Sequence, residues 1–391
     1  MKYEFTLPDY NGNSIVNLMS SISSSFGKRH KYPELASLNS EYLRKFKNVV
    51  LIVVDGLGYN YLKKQRKSFL LENLKSKMTS TFLATTACAN TSFSVGYPPQ
   101  QHALTSWDIN LKEVGAITTI LPFIPIYGGD SLSKYGFKMD QIMDIESFHK
   151  GFNGKCFTLI DKKLSNTPFT KYVSKHTEII PTKSYKNIFT KLRELIKKRS
   201  SRRRFIHAYI PELDSLAHEK GINSKKVKNI FLDLDKRMER LFKSIKGTNT
   251  IMIVTSDHGF IDSSPDKEIL VDDITGLREC LTIPLTGESR VRYCFVRPSK
   301  VRDFEKIVKN KMSKYCWCFK GERLIKDNFY GLGKPNKKLI DRVGDYVLIM
   351  KENYVLKDRL ANYKKPKKFC RGIHGGVSDD EMFVPLVLMD C

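Results

Sequence analysis

Three stretches of this 391-residue chain are apolar without alternation: "VVLIVV" (Val49–Val54), "RFIHAYI" (Arg204–Ile210) and "IMIV" (Ile251–Val254). A strand with one wet face alternates polar and apolar residues. A strand that is apolar throughout must be covered on both faces, the condition of a parallel sheet between helical layers. The intervening segments carry helical spacing. Asn223–Ile245 reads as one long amphipathic helix, Lys67–Lys77 has helical character, and a small-residue helix starts near Thr86. Gly96 ends that last helix, with Pro98 and Pro99 beyond it. The expected fold class is therefore α/β, a largely parallel central sheet flanked by helices. From Leu270 to Tyr354 the pattern changes to shorter strands, "RVRYCFVR" and "DYVLIMK", with looser connections. This predicts a core over residues 1–269, a smaller α+β insertion or cap over 270–354, and a last core part over 355–391.

Composition narrows the class. A hydrophobic share of 41% excludes wholesale disorder. No run approaches the roughly 18 apolar residues of a membrane span. The amino terminus lacks the basic-then-apolar layout of a signal peptide, so the expected location is cytoplasmic, with export by a non-classical route as the alternative. The eight cysteines show no CxxC spacing, which argues for reduced thiols and against a cysteine zinc site. The formal charge of +26 is concentrated in Lys197–Arg204 ("KKRSSRRR"), Ser224–Lys228 ("SKKVK") and Tyr363–Lys368 ("YKKPKK"). Such a surface attracts nucleotides, nucleic acid or acidic membranes; any single cluster is equally well a solvated lysine face.

Chemistry-bearing residues recur where the strands end. Asp55 follows the first run, Asp214 follows the second, Asp257-His258 follows the third, and His374 lies in "GIHGG" before the last apolar segment. In parallel sheets ligands bind beyond the carboxyl ends of the strands. Asp214 and His218 form a D-x-x-x-H pair, which a helix would place on one face. Each feature alone has an ordinary structural explanation, such as a turn at Asp55-Gly56. Together, carboxylates and imidazoles at four strand ends point to a metal site. Ligands without thiolate suit zinc, with manganese or iron as alternatives.

The segments "VVLIVVDGLG", "STFLATTACANTSFSVGYPPQQHALTSW", "PELDSLAHEKG", "VTSDHGF" and "GIHGGVSDDEMFVPLVL" together resemble the alkaline phosphatase superfamily. Within it they look like the nucleotide pyrophosphatase/type I phosphodiesterase branch in its bacterial-type form. That resemblance implies two divalent metal ions, most often zinc. By motif position it assigns Asp214, His218 and His374 to one ion, and Asp55, Asp257 and His258 to the other, which also holds the nucleophile oxygen. In the family the nucleophilic Thr opens a helix, with a glycine and a P-x-x-H segment at set spacing beyond it. Counted back from Gly96 and His102, that pattern implies Thr86 as nucleophile by resemblance, with Thr85 as second choice. A hydroxyl at a helix amino terminus is helped by the backbone dipole. The implied reaction is hydrolysis of nucleotide-like phosphodiesters or phosphoanhydrides through a phosphoryl-threonine intermediate.

The chain departs from the family where an Asn should hold a phosphate oxygen. "HALTSWDIN" has Trp107-Asp108 there, which leaves Asn90, Asn110 and Trp107 as candidate substrate contacts. A phosphomonoesterase or phosphonate hydrolase would use the same site. A sulfatase would need a modifiable Cys or Ser in a C/S-x-P-x-R context, absent from "TTACANTS". An inactive nucleic-acid-binding scaffold is the alternative of another class. The expected partner is a small anionic nucleotide-like substrate, with nucleic acid less favoured.

Overall fold

The computed structural model describes residues 4–359 and 369–391. Seven strands form the main sheet: β1 (Asn48–Val54), β2 (Leu74–Thr79), β3 (Lys155–Asp161), β4 (Glu178–Thr182), β5 (Arg204–Ile210), β6 (Thr250–Thr255) and β7 (Phe383–Asp390). Their order across the sheet is β2-β7-β6-β1-β5-β3-β4. The pairs β1/β5, β1/β6, β3/β5 and β3/β4 are parallel, whereas β7 runs antiparallel to both its neighbours. Every residue of β1, β5 and β6 is buried.

Strand periodicity divides β1 between two cores. Val49, Leu51 and Val53 face α1 (Ile15–Ser25) and α2 (Thr86–Val95), packing with Ile15, Met19, Ile22, Ala89 and Phe93. Val50, Ile52 and Val54 face α3 (Tyr185–Lys197), α4 (Glu212–Lys220) and α5 (Lys225–Ser244), packing with Leu192, Leu213, Phe231 and Met238. Each such side chain contributes roughly 1.5–3 kcal/mol of burial. The register is level at the carboxyl rim, where Val54 pairs with Ile210 and Val53 with Thr255. The residues that follow these strands therefore emerge side by side.

A second sheet, antiparallel throughout, runs in the order Cys316–Lys320, Tyr346–Met350, Val291–Cys294, Thr286–Glu288, Asp108–Leu111, Ala116–Thr119, Ile124–Pro125. Its strands thus come from 286–350 and also from 108–125, the segment that follows the Thr86 helix.

One expected element differs. Lys67–Lys77 is not one helix but a four-residue helix, Phe69–Glu72, followed by β2. The Asp235 carboxylate of α5 accepts bonds from Ser68 Oγ, Phe69 N and Leu70 N, capping the short helix from outside its own sequence. The chain then pairs with β7.

The basic run Lys197–Arg204 lies at the amino end of β5, across the strand from the rim. Seven residues at about 3.3 Å per residue separate the two ends by roughly 20 Å. Two of its arginines are structural. Arg203 donates to the carbonyls of Phe46 and Leu43 (3.0 and 2.9 Å) and stacks on Phe26; Arg204 donates to Lys198 O (2.6 Å) and to Leu195 O. The basic run Tyr363–Lys368 lies outside the described residues. Among the described residues there is no disulfide, and no helix is long and apolar enough to cross a membrane.

Candidate metal centre and nucleophile

Asp55 is the first residue past β1, and Asp257-His258 begins two residues past β6. After β5, Pro211 turns the chain directly into α4, which carries Asp214 and His218 four residues apart on one face. His374 follows the two-residue strand Gly372–Ile373. Glycine is required behind this group. A Cβ on Gly259 would stand 2.0 Å from the Asp380 carbonyl, so only glycine lets the His258 loop pack there.

The side chains converge. His258 Nε2 lies 3.3 Å from Asp55 Oδ1 and 3.7 Å from Asp257 Oδ2. His218 Nε2 lies 3.3 Å from Asp214 Oδ1, and His374 Nε2 is 3.8 Å from the same oxygen and 3.2 Å from His218 Nε2. The His258 and His374 rings stack at 3.7 Å between centroids. Ligand atoms of Asp55, Asp257 and His258 fall within 4.8 Å of one another, as do those of Asp214, His258 and His374. The sequence-based division puts His218 rather than His258 with Asp214 and His374; the distances place both rings within reach of that pair.

The hydrogen bonds orient these groups for a cation. Each histidine turns Nδ1 to a carbonyl oxygen: His218 to Gly372 (2.9 Å), His258 to Gly259 (3.0 Å) and His374 to Ala84 (3.2 Å). Only an N–H satisfies a carbonyl, so each ring carries a proton at Nδ1 and turns Nε2 to the centre. Asp55 Oδ1, Asp214 Oδ1 and Asp257 Oδ2 are buried without a hydrogen-bond partner. Orphaned carboxylate oxygens facing these Nε2 atoms need positive charge between them. The donor set of oxygen and imidazole nitrogen fits zinc, and manganese or iron also.

In the field of the protein groups alone the titrations spread apart. Burial, then the charges of Asp214 and Asp257, raise Asp55 well above the usual carboxylate range. Burial opposes protonation of His218, but the charge of Asp214 beside it outweighs burial and, with no cation between them, pushes the ring up to about 11, so a cation bound there would displace a proton from Nε2. Burial, then His258 and His218, hold His374 well below its ordinary value. Asp55 Oδ2 also accepts the Tyr209 hydroxyl from β5, which fixes the carboxylate's orientation.

Thr86 is the first residue of α2, with Thr85 as its N-cap in extended conformation and Gly96 closing the helix at φ +80°. Thr86 Oγ1 lies 3.1 Å from His258 Nε2, whereas Thr85 Oγ1 turns away and donates to Glu288 Oε1 (2.7 Å). Beside Thr86 opens a cavity of about 610 Å³. It is bordered by Asp55, His374 and Trp107 and by the apolar side chains of Leu121, Ile160, Phe169 and Val173. Asn90 and Trp107 line it; Asn110, in the second sheet, does not.

The sequence reading missed Glu288 at this cavity. Its Oε1 accepts both the Thr85 hydroxyl and the Trp107 N–H (2.9 Å), and burial lifts its carboxyl to about 7. The stretch "TGE" has no motif or periodicity to mark it. Only the pairing of Gly287 with Asp108 brings it beside the Thr86 helix.

A layered α/β fold with carboxylates, imidazoles and a helix-capped hydroxyl gathered at the sheet's carboxyl rim defines a metal-dependent hydrolase of phosphoric esters. The profile of the type I phosphodiesterase / nucleotide pyrophosphatase family matches residues 49–376, and the chain belongs to that family, within the alkaline phosphatase superfamily. Solved structures share the fold. Murine ectonucleotide pyrophosphatase / phosphodiesterase 5 superimposes with a TM-score of 0.65 at 18% identity, over 86% of this chain and 87% of that one. An inactive variant of the same murine protein, in complex with AMP, gives 0.63 at 17% identity, over 86% and 87%. Phosphonoacetate hydrolase from Sinorhizobium meliloti 1021, in complex with phosphonoformate, gives 0.61 at 15% identity, over 87% and 89%. No curated protein matches the sequence.

Proposed function

We propose that the protein is a two-metal phosphodiesterase or nucleotide pyrophosphatase acting on nucleotide-like phosphodiesters or phosphoanhydrides. Asp55, Asp257 and His258 would hold one ion, and Asp214, His218 and His374 the other. Bound there, divalent zinc or a similar ion supplies Lewis-acid stabilisation of the phosphoryl oxygens and activates the nucleophile. The single observation that supports this most is the convergence of three Nε2 atoms and three unpartnered carboxylate oxygens beside Thr86.

The chain's own groups then have distinct tasks. Thr86 Oγ1 attacks phosphorus in line, its bond to phosphorus forming as the bond to the leaving oxygen breaks. The amino terminus of α2 aims backbone N–H groups and its dipole at the phosphoryl oxygens. Water then cleaves the phosphoryl-threonine and restores the hydroxyl. Tyr209 holds Asp55, the three carbonyls hold the imidazoles, and Trp107 with Asn90 borders the organic part of the substrate.

The mouse relative's AMP complex makes a nucleotide arm a natural occupant of the cavity. The phosphonoacetate hydrolase likeness keeps phosphonate cleavage in view as a second reading. Long nucleic acid is less favoured, because Arg203 and Arg204 are spent on backbone carbonyls at the far edge of the sheet. The deciding assay is a panel of p-nitrophenyl thymidine 5′-phosphate, dinucleotides, nucleoside triphosphates, phosphonoacetate and aryl monoesters. Activity on the diesters, abolished by chelator and restored by zinc or manganese, is expected. Full diester turnover after verified metal removal would refute the reading.

A further inference from the structure

We propose that Glu288 is a specificity-determining residue that biases the site against dianionic phosphate monoesters and toward substrates singly charged at the reacting phosphorus. The inference rests on the phosphoester-hydrolase reading and adds to it a residue and a substrate class.

Position is the first argument. Glu288 lines the cavity together with Asp55, Thr86 and His374. It reaches the nucleophile helix from one side, through Thr85 Oγ1 at 2.7 Å, and the Trp107 backbone from the other, at 2.9 Å. Its stem packs on the loop of His374, where a Cβ on Gly375 (φ +104°) would meet the Glu288 Cβ at 2.9 Å. The carboxyl thus stands between the residue before the nucleophile and the residue after His374, on the wall of the cavity that Thr86 also lines.

Charge is the second argument. No Lys or Arg among the described residues lines this cavity. Among the described residues Glu288 forms no ion pair. Arg292, on the adjacent strand, partly offsets the Glu288 charge, but it directs its Nε–H to the Leu356 carbonyl at 2.7 Å and does not line the cavity. A phosphoryl group with one ester arm and a full second negative charge would therefore find, among the described residues, no arginine or lysine lining this wall, and would face the Glu288 carboxylate. A diester, or the reacting phosphorus of an anhydride, carries one charge fewer and avoids most of that repulsion. Among the described residues Glu288 accepts two hydrogen bonds, both on Oε1, and a glutamine oxygen can accept both. The carboxylate's charge is thus separable from its role in holding the Thr85 and Trp107 loops.

The test compares wild type with Glu288→Gln and Glu288→Ala, each metal-loaded and verified folded by its thermal transition. The assay is run at pH 8.5, above the value of about 7 that burial sets for this carboxyl, so that the group is charged. The readout is the ratio of kcat/KM for p-nitrophenyl phosphate to that for p-nitrophenyl thymidine 5′-phosphate. Removing the charge should raise this ratio at least fivefold in Glu288→Gln; any smaller change overturns the proposal. Glu288→Ala serves if the glutamine variant does not fold, with the same threshold. If wild type hydrolyses neither ester, the functional reading fails by itself. Titration with inorganic phosphate at pH 8.5 then decides the inference, with at least fivefold tighter binding to the variant expected and unchanged binding overturning it.

Discussion

The loop that carries His374 is clamped by a buried ion pair, and that pair offers a sharp test of how the rim is held. Arg290 and Glu381 are 1% and 0% exposed. Arg290 Nε and Nη2 each donate to a different Glu381 oxygen at 3.2 Å, and Arg290 Nη1 donates to Tyr354 O at 2.6 Å. Glu381 also accepts from Gly376 N (2.8 Å) and Ser378 Oγ (2.7 Å), which fixes the backbone two residues beyond His374. Arg290→Met keeps the volume but strands the carboxylate in the interior. Breaking a buried pair from one side costs about 3–5 kcal/mol. Neutralising the survivor should recover part of that loss, so Arg290→Met combined with Glu381→Gln should be less damaging than the two single changes summed. Their coupling energy should be about 2 kcal/mol or more. Urea denaturation gives the stability differences, and metal content after gel filtration reports on the His374 loop. We expect the Arg290→Met protein to lose one metal equivalent before it loses its fold. A stability change under about 0.5 kcal/mol, or strict additivity in the double variant, would show that this pair does not clamp the loop.

Thr86→Ala should remove nearly all turnover while metal stays bound, since every Asp and His ligand survives; Thr85→Ala should do far less, and the reverse order in steady-state rates would move the nucleophile by one residue. Tyr209→Phe deletes the hydroxyl that orients Asp55 and should lower kcat/KM or metal affinity by about 10–100-fold with the fold intact by circular dichroism. The buried imidazoles of His207 and His149 predict acid sensitivity, because burial lowers them to about 4 and about 3. Near neutral pH both rings are uncharged in either state and contribute nothing. Below about 6.5 the unfolded chain takes up protons that the folded one refuses, so stability falls until pH reaches the folded values. At pH 5 each ring should cost about 2 kcal/mol, and His207→Asn should flatten the stability–pH curve between 6.5 and 4. An unchanged slope in that variant would mean that His207 is not held neutral.

What could be read from the sequence, and what could not, follows from the range of the forces involved. Unbroken apolar runs declared β1, β5 and β6 because burial on both faces is written residue by residue. Asp55, Asp214, Asp257, His258 and His374 could be singled out only jointly, because each alone reads equally as a turn or a capping residue while their recurrence near four strand ends does not; the structure brings their side chains together. The helix expected over Lys67–Lys77 failed because its fate is set elsewhere, by the Asp235 cap and by the vacancy that β2 fills beside β7. Glu288 was invisible for the same reason. Its neighbours Thr85 and Trp107 lie about two hundred residues away in the chain, and only the second sheet's pairing sets the three together. Asn110, close in sequence to the expected phosphate contact, was carried off into that same sheet.

The placement of β7 has a consequence for the protein's birth. This strand is not an edge but an interior member, inserted antiparallel between β2 and β6. On the ribosome, β1, β2, β5 and β6 emerge long before Phe383–Asp390, and β6 and β2 must wait with unpaired backbone edges facing the same gap. His374 and its Glu381 anchor arrive with the same late segment. The candidate site therefore cannot be completed until the segment through β7 has been translated. Assembly of the site is thus tied to the insertion of one late strand into a sheet whose other members are already in place.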